Sequence, residues 1–203
     1  MKIKYNDRGV TLIELLVVLV IAGMVIAGFY RIFIAQSKAY AVQDQVAEVQ
    51  QNVRNAMEIL VRDLSMAGCD DESNLLPFNN PLPLIADNSI TVSYEYFNQT
   101  TLATELNTVA YNLMGTDLLR NGEPILENVD QLVFTYGIDT DNDGYVNNWV
   151  NAGGVGTSII ISVRVQLIAE PNPVNPDLRT VSPRRLDSIV SMRNQIIRSL
   201  ALQ

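Results

Sequence analysis

Residues 10–29 form a run of twenty in which Glu14 is the only ionisable side chain. As a helix, twenty residues reach about 30 Å, the thickness of a bilayer's hydrocarbon core. A run this apolar has no polar face to turn to water, so it belongs in a membrane or among other apolar helices. A carboxylate near one end of such a segment is costly and asks for a compensating partner.

Charge is placed unevenly around that run. The first nine residues hold Lys2, Lys4 and Arg8 against Asp7, a net +2, which leaves −10 on the rest of a chain whose overall charge is −8. A basic start before an apolar segment predicts an N-terminus inside and the remainder outside. The acidic remainder suits a solvated domain, and no direct nucleic-acid contact is expected of it. A length of 203 residues allows one membrane segment plus one globular domain with its own core. The chain has no histidine, which removes the usual general base, a Ser-His-Asp arrangement and histidine metal ligands. The single cysteine, Cys69, excludes an intramolecular disulfide and paired-cysteine metal or redox motifs, and reads as a small buried thiol. No enzymatic activity is expected.

A secretory signal peptide would end in a small-residue cleavage site, and Tyr30-Arg31-Ile32-Phe33-Ile34-Ala35-Gln36 offers none. A plain signal anchor accounts for the length and the basic start but not for Gly9 or Glu14. Arg8-Gly9, followed by Thr11-Leu12-Ile13-Glu14-Leu15 and the apolar run, resembles the class III signal of type IV prepilins and type II secretion pseudopilins. The resemblance implies that a membrane prepilin peptidase cuts between Gly9 and Val10 and then methylates the new amine of Val10. Glu14 becomes the fifth residue of the processed chain, paired with the N-terminal amine of a neighbouring subunit. At about 4 Å and an effective dielectric near 20, such a pair gains up to ~4 kcal/mol before desolvation. Val10 departs from the Phe or Met usual at that place in the family.

Past the apolar run, Val42, Val46, Val49, Val53, Met57, Leu60 and Leu64 recur at spacings of three and four, while Asp44, Glu48, Gln51, Asn55 and Arg62 fall elsewhere. That is an amphipathic helix. No proline interrupts residues 10–68, which predicts one helix whose residues 10–34 are the transmembrane or filament-core part. Gly68 is its stop, and Gly23 and Gly28 are points of local loosening.

Residues 69–83 turn to Asp, Asn, Ser and Pro and read as a loop. Ile90, Val92, Tyr94 and Tyr96 then alternate on one face, and residues 106–113 and 118–120 read as the next strands. Asn121-Gly122 is a hairpin-turn signal. Leu132, Phe134 and Tyr136 alternate again, and residues 159–169 make a long β-branched strand. The proline-rich residues 170–176 belong on the surface. Residues 184–194 read as a last strand before an apolar stretch at 196–202. The expected fold class is α+β and pilin-like, a long N-terminal helix packed on an antiparallel β-sheet domain. Residues 1–9 are read as a leader peptide, 10–68 as the helix and 69–203 as an extracytoplasmic domain.

Arg62-Asp63-Leu64-Ser65-Met66-Ala67-Gly68, Leu126-Glu127-Asn128-Val129 and Ser191-Met192-Arg193-Asn194 narrow the resemblance to the PilW-like minor pilins, which are similar in turn to the J-type pseudopilins. This implies a minor pilin that takes part in initiating type IV pilus assembly, at or near the pilus tip. Its implied partners are the prepilin peptidase, other minor pilins, the major pilin and a tip adhesin. Its implied location is the inner membrane, single-pass with the C-terminal domain in the periplasm, and then the pilus at the cell surface. The alternative is a J-type pseudopilin of a type II secretion system, and an adhesive module is a third class.

Asp139-Thr140-Asp141-Asn142-Asp143-Gly144 matches the first half of an EF-hand loop. Asp139, Asp141 and Asp143 stand at alternate positions suited to one Ca2+, with the carbonyl of Tyr145 and the side chain of Asn147 as further ligands. Val150 occupies the twelfth position, where a bidentate Glu belongs, so an affinity of roughly 10⁻⁴–10⁻³ M is the ceiling. A metal-free Asp/Asn/Gly turn is the competing reading. Arg184, Arg185, Arg193 and Arg198 cluster late in the chain, where ion pairs with the domain's own carboxylates or a solvated edge account for them.

Overall fold

One unbroken helix, α1, runs from Leu12 to Met66 and passes through Gly23 and Gly28 without interruption. It belongs to a computed structural model that describes residues 9–69, 81–171 and 182–201. The chain divides into two compact units, Met1–Asp44 and Gln45–Gln203. Among the described residues the first unit is helix and its lead-in only. In the second unit α1 sends Val53, Ala56, Met57, Leu60 and Leu64 into a core built with strand residues. The helix ends as Gly68 takes φ +71°, a left-handed conformation that favours glycine, and the Cys69 amide donates to the Met66 carbonyl at 2.9 Å.

The strands among the described residues form two antiparallel sheets rather than one. The first holds β1 (Leu84–Ile85), β2 (Ser89–Asn98), β3 (Ala103–Met114), β4 (Asp117–Arg120) and β5 (Glu123–Leu126), in chain order. The second holds β6 (Val129–Asp139), β7 (Asn148–Val150), β8 (Ile159–Ala169) and β9 (Arg184–Ser191), in the order β7-β6-β8-β9. Helix α2 spans Arg193–Ala201. The fold class is thus the expected α+β, a long N-terminal helix followed by antiparallel sheet. Alternation shows which side chains share a face but not which strands pair, so the division into two sheets was not foreseen. It falls at Glu127-Asn128, where Asn128 takes φ +57° and turns the chain from β5 into β6.

Local signals held where chemistry was specific. Asn121 and Gly122 both take positive φ, +53° and +85°, and close a two-residue hairpin with Arg120 opposite Glu123. Ile90, Val92 and Tyr94 are buried as expected, but Tyr96 is 39% exposed. Ser93 and Glu95 are buried too, so this stretch of β2 is covered on both faces and its alternation carries less meaning. The last strand stops at Ser191, and the residues read as its end begin α2 instead. Residues 70–80 and 172–176, read as a loop and a surface connection, lie outside the described residues.

Polar contacts tie the layers. The Asp87 carbonyl accepts from the Phe134 amide at 2.8 Å, and its carboxylate accepts from the Ala152 amide at 3.0 Å. The Tyr136 hydroxyl donates to the Ala86 carbonyl at 2.7 Å. Asp63, on the core side of α1 and only 1% exposed, accepts from the Tyr111 hydroxyl at 2.6 Å and from Arg120 Nε at 2.9 Å. Arg120 Nη2 lies 2.8 Å from the same oxygen. A buried carboxylate is tolerable only with such partners. Burial first, and then the Asp63 bond, pushes the Tyr111 phenol above its ordinary value.

The N-terminal segment and the acidic loop

Gly9 and Val10 stand exposed just outside the helix, and a side-chain carbon added at Gly9 would meet nothing within 4 Å. Thr11 is the residue before α1, and its Oγ1 accepts from the Glu14 amide at 3.3 Å. The Leu15 amide donates to the Thr11 carbonyl at 3.2 Å. Thr11-x-x-Glu14 is therefore a helix-capping sequence, and the sequence reading missed that second use of both residues. The cap fixes where the helix begins and so holds Glu14 one turn from the exposed Gly9–Val10 peptide. At that position the helix's partial positive charge also favours a carboxylate.

Every residue from 9 to 41 is exposed. That includes Leu12 at 82%, Ile13 at 72% and Leu19 at 68%. The helix is long and apolar enough to cross a membrane by length and composition.

The loop between β6 and β7 brings carboxylate oxygens of Asp139, Asp141 and Asp143 within 4.8 Å of one another. Asp139 is buried, and its oxygens accept from the amides of Asp141 (3.2 Å), Asn142 (2.7 Å) and Gly144 (2.9 Å). The loop is thus closed around Asp139 by its own backbone. Asp143 accepts from the Tyr145 amide at 2.8 Å, while the Tyr145 side chain is 75% exposed. The Asn147 oxygen accepts from the Thr140 amide at 2.7 Å, so that oxygen is engaged in the turn. A hydrogen bond from the Asn147 side chain leads the causes that hold the Asp141 carboxyl below its ordinary value. Val150, opposite Tyr136 on β7, packs against the core and supplies no ligand. Three carboxylates fit a hard divalent cation, but this donor set is smaller than a full calcium loop.

The late arginines separate. Arg184 and Arg185 lie on β9, Arg193 begins α2, and the side chain of Arg198 is outside the described residues. Arg185 pairs with Asp187 at 2.8 Å, one of the carboxylate partners expected of the cluster. Cys69 is a half-buried free thiol.

The family model for type IV pilus-assembly protein W matches residues 89–195. The model for the prokaryotic N-terminal methylation motif matches residues 4–30. No match is found among curated proteins. The first match runs from β2 into α2 and takes in both sheets except for β1. The second covers the Gly9–Glu14 segment and most of the apolar run, and is consistent with an inner-membrane anchor that leaves the rest of the chain outside. Matched over more than half its length by the first model and over its apolar start by the second, the chain belongs to the type IV pilus-assembly protein W family.

Proposed function

We propose that this chain is a structural subunit, a minor pilin that takes part in initiating type IV pilus assembly. It is cut after Gly9 by the prepilin peptidase, methylated on Val10, and sits at or near the pilus tip with other minor pilins, the major pilin and an adhesin as partners. The observation that carries this reading is the exposure of an apolar helix over residues 12–34. Apolar surface left in water is unfavourable by about 25 cal/mol per Å². Lipid removes it before assembly, and neighbouring helices remove it in a filament. Glu14 gives that transfer a direction, because in an apolar setting its carboxylate is stabilised by a cationic amine on the next subunit.

The expected result for Glu14→Ala is a chain that is cut and stays in the membrane fraction yet does not enter pili. Normal incorporation would remove the pairing role. Deleting the chain and scoring surface pili and secreted proteins in the same cultures tests the place of the subunit. Lost pili with normal secretion supports it; normal pili with retained exoproteins would make it a J-type pseudopilin.

The loop at Asp139 is proposed to take one calcium ion at millimolar concentration, supported by the gathering of Asp139, Asp141 and Asp143. Trp149 lies on β7 beside the loop, with the Arg164 guanidinium 4.4 Å from its ring centre. Its fluorescence is expected to respond to calcium in the full chain and not in Asp141→Ala. No response at concentrations well above roughly 10⁻³ M would end the proposal.

A further inference from the structure

Two grooves flank the same stretch of α1 within the second unit. One, of about 420 Å³, is lined by Glu48 from the helix, Glu127 from the β5–β6 turn and Glu170 after β8, with Val49 and Ile125 among its apolar walls. The other, of about 500 Å³, is lined by Arg54 from the helix and by Arg184 and Arg185 at the start of β9. At about 100° per residue, Glu48 and Arg54 fall on opposite flanks of α1, on either side of the stripe that Val53 and Leu60 bury.

Among the described residues the charges in these grooves are poorly compensated. Among the described residues, none of the three glutamates has an ion-pair or side-chain hydrogen-bond partner. Neither Arg54 nor Arg184 has an acidic partner among the described residues, and the buried Nε of Arg184 makes no hydrogen bond there. Of these arginines Arg185 is paired, with Asp187. Like charges facing one groove repel unless a counter-charge enters it.

We propose that the two grooves are halves of one head-to-tail contact between copies of this chain lying side by side. The acidic groove of one copy receives the Arg54 and Arg185 side of the next. The inference rests on the reading above, because a shared membrane anchor gives every copy the same polarity, so that one flank of a subunit meets the opposite flank of its neighbour. A contact between two different surfaces leaves one groove open at each end of a row of copies, unless the rotation between copies closes the row into a ring. Exposed ion pairs are individually weak, so the contact forms where a membrane concentrates the copies and weakens as salt rises.

The test uses the full chain in phosphatidylcholine vesicles, labelled for energy transfer between copies. Glu48→Lys with Glu127→Lys makes both flanks basic; Arg54→Glu with Arg185→Glu makes both acidic. The wild type is expected to give a transfer signal that falls severalfold between low and high salt. Each double variant alone should fall to the high-salt level, and an equal mixture of the two should recover most of the wild-type signal. Association of either variant alone at the wild-type level overturns the proposal. So does a silent mixture of variants whose thermal unfolding matches the wild type, or a wild type with no salt-dependent signal, which would leave the grooves to a different subunit. The measurement needs no pilus machinery. Its failure therefore leaves the deletion phenotype untouched, and a secretion phenotype leaves the mixing result untouched.

Discussion

Helix α1 obeys two rules along one unbroken backbone. Through Asp44 it buries nothing; from Val53 onward it buries Val53, Ala56, Met57, Leu60, Asp63 and Leu64. Both stretches carry many aliphatic residues, but residues 10–29 hold one ionisable side chain, whereas the second stretch interleaves Arg54, Glu58, Arg62 and Asp63 with its apolar residues. What separates them is periodicity. An apolar stripe means that the covering surface lies in the same chain, whereas apolarity on all sides means that it lies elsewhere. The polar residues follow the same division. Glu14, on the first stretch, is bonded through its backbone amide to the Thr11 cap, while the Asp63 carboxylate on the second is enclosed by Tyr111 and Arg120.

Substitutions can sharpen or break that contrast. Asp63→Ala strips the acceptor from a buried hydroxyl and a partly buried guanidinium, and should lower the stability of the second unit by about 3–5 kcal/mol. The unfolding midpoint, followed by Trp149 fluorescence in the full chain, measures it; a loss below about 1 kcal/mol would mean that water substitutes for Asp63. Leu60→Ala leaves a cavity in a fully buried site and should lose about 2–5 kcal/mol. Leu19→Ala, on the exposed stretch, should change the same transition by no more than about 0.5 kcal/mol. Equal effects from the two leucines would end the distinction.

Tyr111→Phe removes one bond to Asp63 and should lose about 1–3 kcal/mol at neutral pH. The folded state keeps the Tyr111 proton where the unfolded chain, with its ordinary value of 10.0, releases it. Tyr111's contribution is therefore complete below pH 10 and declines as pH rises toward the folded value. The gap between Tyr111→Phe and wild type should narrow over that range, and a gap that widens would reverse the sign. A small effect of the opposite sign is expected at Leu102, which is 75% exposed and holds φ +53° in the β2–β3 turn. A left-handed leucine is strained by roughly 1–2 kcal/mol, and glycine's greater chain entropy offsets about 0.5–1 kcal/mol of the relief. Leu102→Gly should therefore be neutral or slightly stabilising, within about 1 kcal/mol.

Legibility in the sequence followed the range of each interaction. The apolar run, the stripe of α1 and the Asn121-Gly122 turn are set by neighbours within one or two turns of chain, and each could be read. Asp63 could not, because its partners lie 48 and 57 residues away and nothing at Asp63 itself announces them. The spacing of Asp139, Asp141 and Asp143 was legible as ligand chemistry. The three amides that close on Asp139 were not, because a carboxylate looks the same in sequence whether it binds a cation or its own backbone. Thr11-x-x-Glu14 shows the reverse case, a cap that four neighbouring residues spell out and that shares Glu14 with the assembly role expected of it.

The Asp63 cluster also has a mechanical meaning. In the pilus subunit proposed above, tension between the globular part and the filament would pass along α1. The last packed turn of that helix is fastened to β3 through Tyr111 and to β4 through Arg120 by bonds that meet on one oxygen. Bonds that share an acceptor carry load in parallel and fail together, not in sequence like a zipper. Burial slows their replacement by water while they are stretched. The clamp is thus suited to keep the folded domain attached to its stalk when the filament is pulled.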